Sequence, residues 1–426
     1  MKLRLPAQVS KVFSYRKELL FLSFFLLALG NSAYFISVGI NRFVEYAGLL
    51  VLLMSITENC LFHLNRSLQG KVAVRAILLS VLFCLGLAVQ ELRLLKKLEL
   101  IISMLILVFI MIASESYIRT FTHIRWASLG ILAGCVGCTV IALLTGTGIT
   151  TVALEGLGGF GFNAGMEHKN FFAYAVFASF TGLYLYYRYE KKTGWDFAIL
   201  VVELLFMIVS NSRSVYIVLA VFFIAIYTER LFGLAKSLLN KIPEKYRKTF
   251  LVVAGIAGAA AVVVAVIVVL PKSGTYMYRV RGLLNFFKAY STDAFHMVFG
   301  AADMAFANPE ISYNENIRAT IGWDGSTEMA LLNMLIKNGI LGVIGYVAVL
   351  SRPVAALVKT ESWEHRIVLL VVVVPMLVST LAETFVTNVH LVYGPYCYVV
   401  LTGLCGMVRT RKKKTDQQEF GYENRN

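Results

Sequence analysis

The sequence predicts an all-α polytopic membrane protein of about twelve transmembrane helices, and three observations carry that prediction. Hydrophobic residues make up 58% of the 426 and charged residues only 15%, which leaves too little polar surface for a soluble globule. Charge-free runs such as Leu251 to Leu270 reach the roughly 20 residues that cross a ~30 Å hydrocarbon core as a helix. Backbone amides in lipid must be satisfied within the segment, so these runs are helices. Lys and Arg collect in short segments between the runs and at both ends, the positive-inside pattern. The net charge of +15 is thereby explained without nucleic acid as a partner.

Apolar windows place spans at 19–40, 43–62, 72–89, 98–115, 126–146, 171–188, 196–211, 214–231, 250–270, 329–350, 367–386 and 392–408. The first run is about 20 residues long and lacks a small-residue cleavage site, so it reads as a span rather than a signal peptide. Asn211-Ser212-Arg213-Ser214 is a very short polar break, and the parity of the whole map hangs on it. The chain is then a single membrane domain, 1–426, with an extracytoplasmic loop at 271–328 and a basic cytoplasmic tail at 409–426. Both termini are expected in the cytoplasm. Arg93, Lys96 and Lys97 run against the charge count, because the map puts them outside. The six cysteines lie in or beside apolar segments and read as packing residues, Cys135-x-x-Cys138 included.

On this map His168-Lys169-Asn170, Arg213, the 271–328 loop and Asn388 to His390 share the outer face. Arg281 precedes a helix-like stretch, Leu283 to Tyr290, and with Arg279 offers forked donors matched to phosphate oxygens. The plainer reading is a pair of juxtamembrane charges. Arg213 sits between two apolar runs, where an ionisable group is a functional candidate or a snorkelling anchor. His168 is a candidate base or phosphate donor and Lys169 a second phosphate charge, while Asn170 reads as the N-cap of the next span. Glu328 and Asp324 either complement a helix dipole or take a proton from a sugar hydroxyl. Asp293 and His296 would need a helix and a third ligand to hold a metal, and no DxD is present, so no metal site is assigned.

Read in order, these pieces resemble the family of bacterial O-antigen ligases and polysaccharide polymerases. The resemblance rests on Gly161-Phe162 leading to His168-Lys169-Asn170, on Asn211-Ser212-Arg213, Arg281-Gly282 and Val298-Phe299-Gly300, and on Leu331-Leu332-Asn333 through Asn338-Gly339-Ile340-Leu341-Gly342. It implies a GT-C-like fold and metal-independent glycosyl transfer without a cofactor. Arg213 and Arg281 would bind the diphosphate of an undecaprenyl-linked donor, with Lys169 and Arg279 beside them and His168 or Glu328 as base. Ligases of the family carry a histidine where this chain has Ser326-Thr327-Glu328, a departure that tilts the expectation toward a polymerase of O-antigen, capsule or exopolysaccharide repeat units. The implied partners are the lipid-linked oligosaccharide, membrane lipids, a flippase and a chain-length regulator. A ligase-like transferase is the nearer alternative and a lipid-linked oligosaccharide transporter the farther one. Trp323, Tyr276, Tyr278 and Tyr313 could stack on sugar faces, although aromatic loops are common.

Overall fold

The computed structural model describes residues 15–63, 66–114, 117–151, 161–240, 274–311, 313–321, 329–360 and 362–407, with a few single positions between 243 and 253. The expected span at 250–270 lies essentially outside the described residues. Helix α1 (Arg16–Leu29) is followed by a short α2 (Ala33–Ser37) and by α3 (Asn41–Glu58), which runs into a π-helical turn. Then come α4 (Arg66–Val89), α5 (Leu94–Ala113) and α6 (Phe121–Thr145). Two-residue strands β1 (Thr150–Thr151) and β2 (Gly161–Phe162) pair antiparallel ahead of α7 (Lys169–Tyr189), α8 (Gly194–Val209) and α9 (Arg213–Asn240). Past the undescribed stretch stand α10 (Gly274–Tyr290), α11 (Ala294–Phe299), α12 (Ala302–Ala305) and α13 (Tyr313–Ile321). The long α14 (Ala330–Lys359), α15 (Trp363–Ala382) and a last helix, α16, over 393–407 complete the order. Six described helical stretches are long and apolar enough to cross a membrane: Asn41–Phe62, Gln69–Val89, Phe121–Thr145, Arg213–Leu234, Ala330–Lys359 and Trp363–Ala382. The fold is that of an all-α membrane protein.

Small residues decide how closely the helices approach. On α6, a Cβ at Gly130 would fall 2.3 Å from the Phe21 carbonyl oxygen, and one at Gly134 would fall 2.6 Å from Ala28 Cβ, so α1 lies backbone-to-backbone against α6. This is the small-xxx-small solution that packs helices where lipid supplies no hydrophobic drive between them. The first expected span breaks in two at Gly30-Asn31-Ser32. Gly30 leaves room for the Glu45 side chain, Asn31 Nδ2 donates to the Leu27 carbonyl at 2.8 Å, and the Asn31 carbonyl accepts from Glu167 N at 3.2 Å.

Helix α14 is also broken, at Gly339 (φ 64°, ψ −161°). The turn at Val298-Phe299-Gly300 fills the break: a Cβ on Gly339 would stand 2.3 Å from the Val298 carbonyl oxygen, and Ala301 N donates to the Ile336 carbonyl at 2.7 Å. Gln90 clamps the joint, with Nε2 donating to the Phe299 carbonyl at 2.6 Å and Oε1 accepting from Ala302 N at 2.5 Å. Two segments that the sequence singles out separately are thus one contact.

Polar pairings collect at two ends of the helical body. At one, Arg16 reaches Glu58 (3.6 Å), Thr122 N donates to Glu190 (2.8 Å) and Arg125 pairs with Asp196 (2.8 Å). At the other, the Asn31 break, the 161–168 segment, Gln90, α11 and the residues after α15 meet. Lys96, with its ammonium 4.7 Å from the Phe306 ring centroid, lies with this second group, so one of the three cations that dissent from the charge count stands beside the end of α12.

Candidate functional site

The second end is organised around Glu383. Helix α15 stops at Ala382, and Glu383 turns to extended backbone (φ −141°, ψ 160°) with its side chain buried. Asn170 Nδ2 and Ser214 Oγ donate to Glu383 Oε1 at 3.0 and 2.9 Å. Arg279 lays its Nη2 3.9 Å from the same oxygen and donates from Nε to the Ala382 carbonyl at 2.8 Å. Ser212 Oγ closes the ring by donating to Asn170 Oδ1 at 2.9 Å. Four chain segments therefore share one buried carboxylate, whose charge is met by donors and a guanidinium as burial requires.

Local backbone chemistry explains how each donor arrives. His168 (φ −141°, ψ 145°) is the N-cap of α7, and its Nδ1 accepts from Asn170 N at 3.1 Å. The sequence suggests Asn170 for that duty; the imidazole takes it instead, and the Asn170 side chain is released to reach Glu383. Because Nδ1 accepts, the neutral ring carries its proton on Nε2. Between α8 and α9, Asn211 adopts φ 51°, a left-handed conformation that asparagine tolerates. The tight turn separates two helices at the polar break and sets Ser212 and Ser214 toward Glu383.

Arg279 and Arg281 both lie within α10, which begins at Gly274 rather than after Arg281 as the sequence suggests. The helix that holds Leu283 to Tyr290 continues upstream through Gly282, which is buried and does not interrupt it. Two positions along an α-helix turn by about 200°, so Arg279 faces inward, 8% exposed, and Arg281 faces out. Lys169 is the first residue of α7, and Arg213 the exposed first residue of α9. Partial burial, and then the neighbouring Arg213, hold the Lys169 ammonium below its ordinary value. Gly161 of β2 makes the fit possible, since a Cβ there would meet Lys169 Cδ and the Ser210 carbonyl oxygen, both at 2.5 Å.

The structure thus brings Arg279 to Glu383, sets His168, Lys169 and Arg213 beside Asn170 and Ser214, which reach the same carboxylate, and places Arg281 on the opposite face of the Arg279 helix. Glu328, with Trp323 and Asp324, lies outside the described residues. Glu383 is the residue sequence reasoning missed. Its signal was available: a lone carboxylate inside the expected span 367–386, the kind of intramembrane charge that marks a working or load-sharing site.

Beneath the node, Asn31, Phe171, Tyr174, Phe385 and Tyr393 help enclose a cavity of about 10 Å³, room for roughly one water. Two histidine clusters flank the node. His390 Nδ1 stands 3.0 Å from Glu45 Oε2, which also takes Arg42 at 2.9 Å, and Ser103 Oγ lies 3.3 Å from His390 Nε2. His296 lies between Asp293 Oδ2, 2.5 Å from Nδ1, and Asp303 Oδ2, 3.4 Å from Nε2. The two carboxylates are on opposite edges of the ring and do not converge on one point, and among the described residues no group of three or more ligands could hold a metal. Partial burial alone would lower the His296 value, but the hydrogen bonds to Asp293 and then Asp303 prevail and hold it above the ordinary range. All six cysteines are free.

No family model matches the chain, and no curated protein matches it.

Proposed function

We propose that this protein is a bacterial cell-membrane polymerase of O-antigen, capsule or exopolysaccharide repeat units. It transfers a growing glycan from undecaprenyl diphosphate to the hydroxyl of a lipid-linked acceptor on the extracytoplasmic face. In this reading the chain crosses the membrane about twelve times, with both termini cytoplasmic. The observation that carries it is the Glu383 node: four segments from separate parts of the sequence end at one place, with Lys169 and Arg213 side by side at the rim. A sugar diphosphate already has a good leaving group, so transfer needs cations on the developing phosphate charge more than it needs a strong acid. Lys169 and Arg213 repel one another, and a dianionic diphosphate would relieve that repulsion. Arg281 projects from the opposite face of the helix that Arg279 anchors, where it would meet the lipid carrier away from the Glu383 node. Glu328 is the candidate base for the acceptor hydroxyl, whereas His168, with Nδ1 occupied by Asn170 N and its proton on Nε2, can donate to a phosphate oxygen.

The break in α14 is the one observation that favours transport, since discontinuous helices hold substrate in many transporters. Here Ala301 N and the Gln90 amide occupy carbonyls at that break, so its backbone is spent on a structural joint. Lipid-linked oligosaccharides extracted from cells carrying Arg213→Ala distinguish the readings. Polymerase loss accumulates single repeat units on the outer face, ligase loss leaves long chains on the carrier, and flippase loss strands single units inside.

A further inference from the structure

Helix α10 carries Arg279, Arg281 and Lys288 within 17 residues and is not among the described helices apolar enough to cross a membrane. Its inner side is anchored twice. Arg279 Nε donates to the Ala382 carbonyl at 2.8 Å, and Phe286 joins a buried cluster with Leu332 and Leu335. Ala382 ends α15 and Leu332 lies in the first turn of α14, two of the helices long and apolar enough to span. Arg279 and Phe286 stand about 10 Å apart along the axis, so α10 runs from one span end to the next. That is the level at which the hydrocarbon core gives way to headgroups. The outer side mixes charge with apolar bulk. Arg281, Leu284, Phe287 and Lys288 are all exposed, Leu284 by 60%. At 3.6 residues per turn the four fall within about a third of the circumference. Large apolar side chains gain by leaving water, and cations on long apolar stems keep their heads at the polar boundary. Both on one face form the pattern of a helix lying in a membrane interface.

We propose that the outer face of α10 docks on the bilayer surface, with Leu284 and Phe287 in the boundary between headgroups and acyl chains and Arg281 and Lys288 on lipid phosphates. The helix then ties the Arg279–Glu383 contact to the membrane edge. This docking rests on the membrane fold alone and holds whatever the enzyme's substrate.

The test is photolabelling of the full-length protein in vesicles of phosphatidylethanolamine and phosphatidylglycerol. The probe is a phospholipid with a diazirine just below its headgroup, and adducts are mapped by mass spectrometry. Leu284 and Phe287 should carry adducts, as the spanning helices do, while the exposed stretch 307–311 should not. Leu284→Ser combined with Phe287→Ser should lose most of the labelling on α10 and keep that on the spans, which also shows that the variant is inserted. If that variant fails to accumulate, the wild-type comparison carries the test. Adducts on α10 no denser than on 307–311 in vesicles whose spans are labelled, or α10 labelling in the double variant equal to wild type, overturn the proposal.

Discussion

Asn170 Nδ2 donates to Glu383 Oε1 at 3.0 Å across 213 positions of sequence, fixing the start of α7 to the end of α15. Ser214 and Arg279 meet the same oxygen, so the charge of Glu383 serves three partners at once. Hydrogen bonds to a charged group contribute about 1.5 to 3 kcal/mol each, and their loss is felt jointly. Glu383→Ala should therefore destabilise the protein far more than Glu383→Gln, whose carbonyl oxygen still accepts from Asn170 and Ser214. Thermal unfolding in detergent measures the difference; equal melting points for the two variants would contradict the shared-acceptor geometry.

The two arginines of α10 should part company. Arg279→Ala leaves the Glu383 carboxylate buried without its guanidinium, a loss of about 3 to 5 kcal/mol, and the variant should accumulate poorly. Arg281→Ala removes an exposed side chain and should change stability by no more than about 0.5 kcal/mol. Comparing melting temperatures and membrane yields of the pair checks this, and an unstable Arg281→Ala would show that its outward placement is wrong.

Gly339→Ala tests the joint between α14 and the 298–301 turn. At φ 64° an alanine is strained, and its methyl would meet the Val298 carbonyl oxygen at 2.3 Å. Together these should cost about 3 kcal/mol or more. Hydrogen exchange should then rise selectively in 298–305, whereas wild-type protection there would refute the close approach.

The His296 contacts predict a pH response in the same region. His296 is held above its ordinary value, so its stabilising contribution is full below the unfolded histidine value and is lost as pH rises through the elevated folded one. Asp293 is held below its ordinary value, chiefly by the hydrogen bonds from His296; its contribution is lost only as pH falls through that lowered value. The Asp293–His296–Asp303 contact is therefore firm between the lowered Asp293 value and the ordinary histidine value, and loosens as pH rises through the elevated His296 value. Protection factors over 294–305, corrected for the hydroxide-catalysed intrinsic exchange rate, should fall in wild type as pH rises through the elevated His296 value, and His296→Gln should abolish that fall.

Much of this arrangement is legible in the sequence because apolar runs and charge placement are local signals. The Asn211-Ser212 break does separate two helices, and Asn170, Ser214 and Arg279, from three of the segments the sequence groups together, meet at Glu383. What sequence patterns miss are contacts made by single polar residues inside apolar runs. Glu383, Glu45 and Gln90 each sit in or beside a stretch whose hydropathy hides them, and their roles depend on partners tens to hundreds of residues away. The α7 cap shows the same limit. His168 and Asn170 are both able to cap, and only the pull of Glu383 on Asn170 decides between them.

The central claim is that the exposed cations Arg213 and Arg281, with Lys169, hold a lipid diphosphate during chain growth. Its most direct measurement is the length of undecaprenyl-linked glycans extracted from producing cells with Arg281→Ala or Arg213→Ala, two exposed side chains whose loss leaves the protein in the membrane. Single repeat units should accumulate on the outer face of the membrane in both variants at normal protein levels. Long polymer of wild-type length in both would contradict the account.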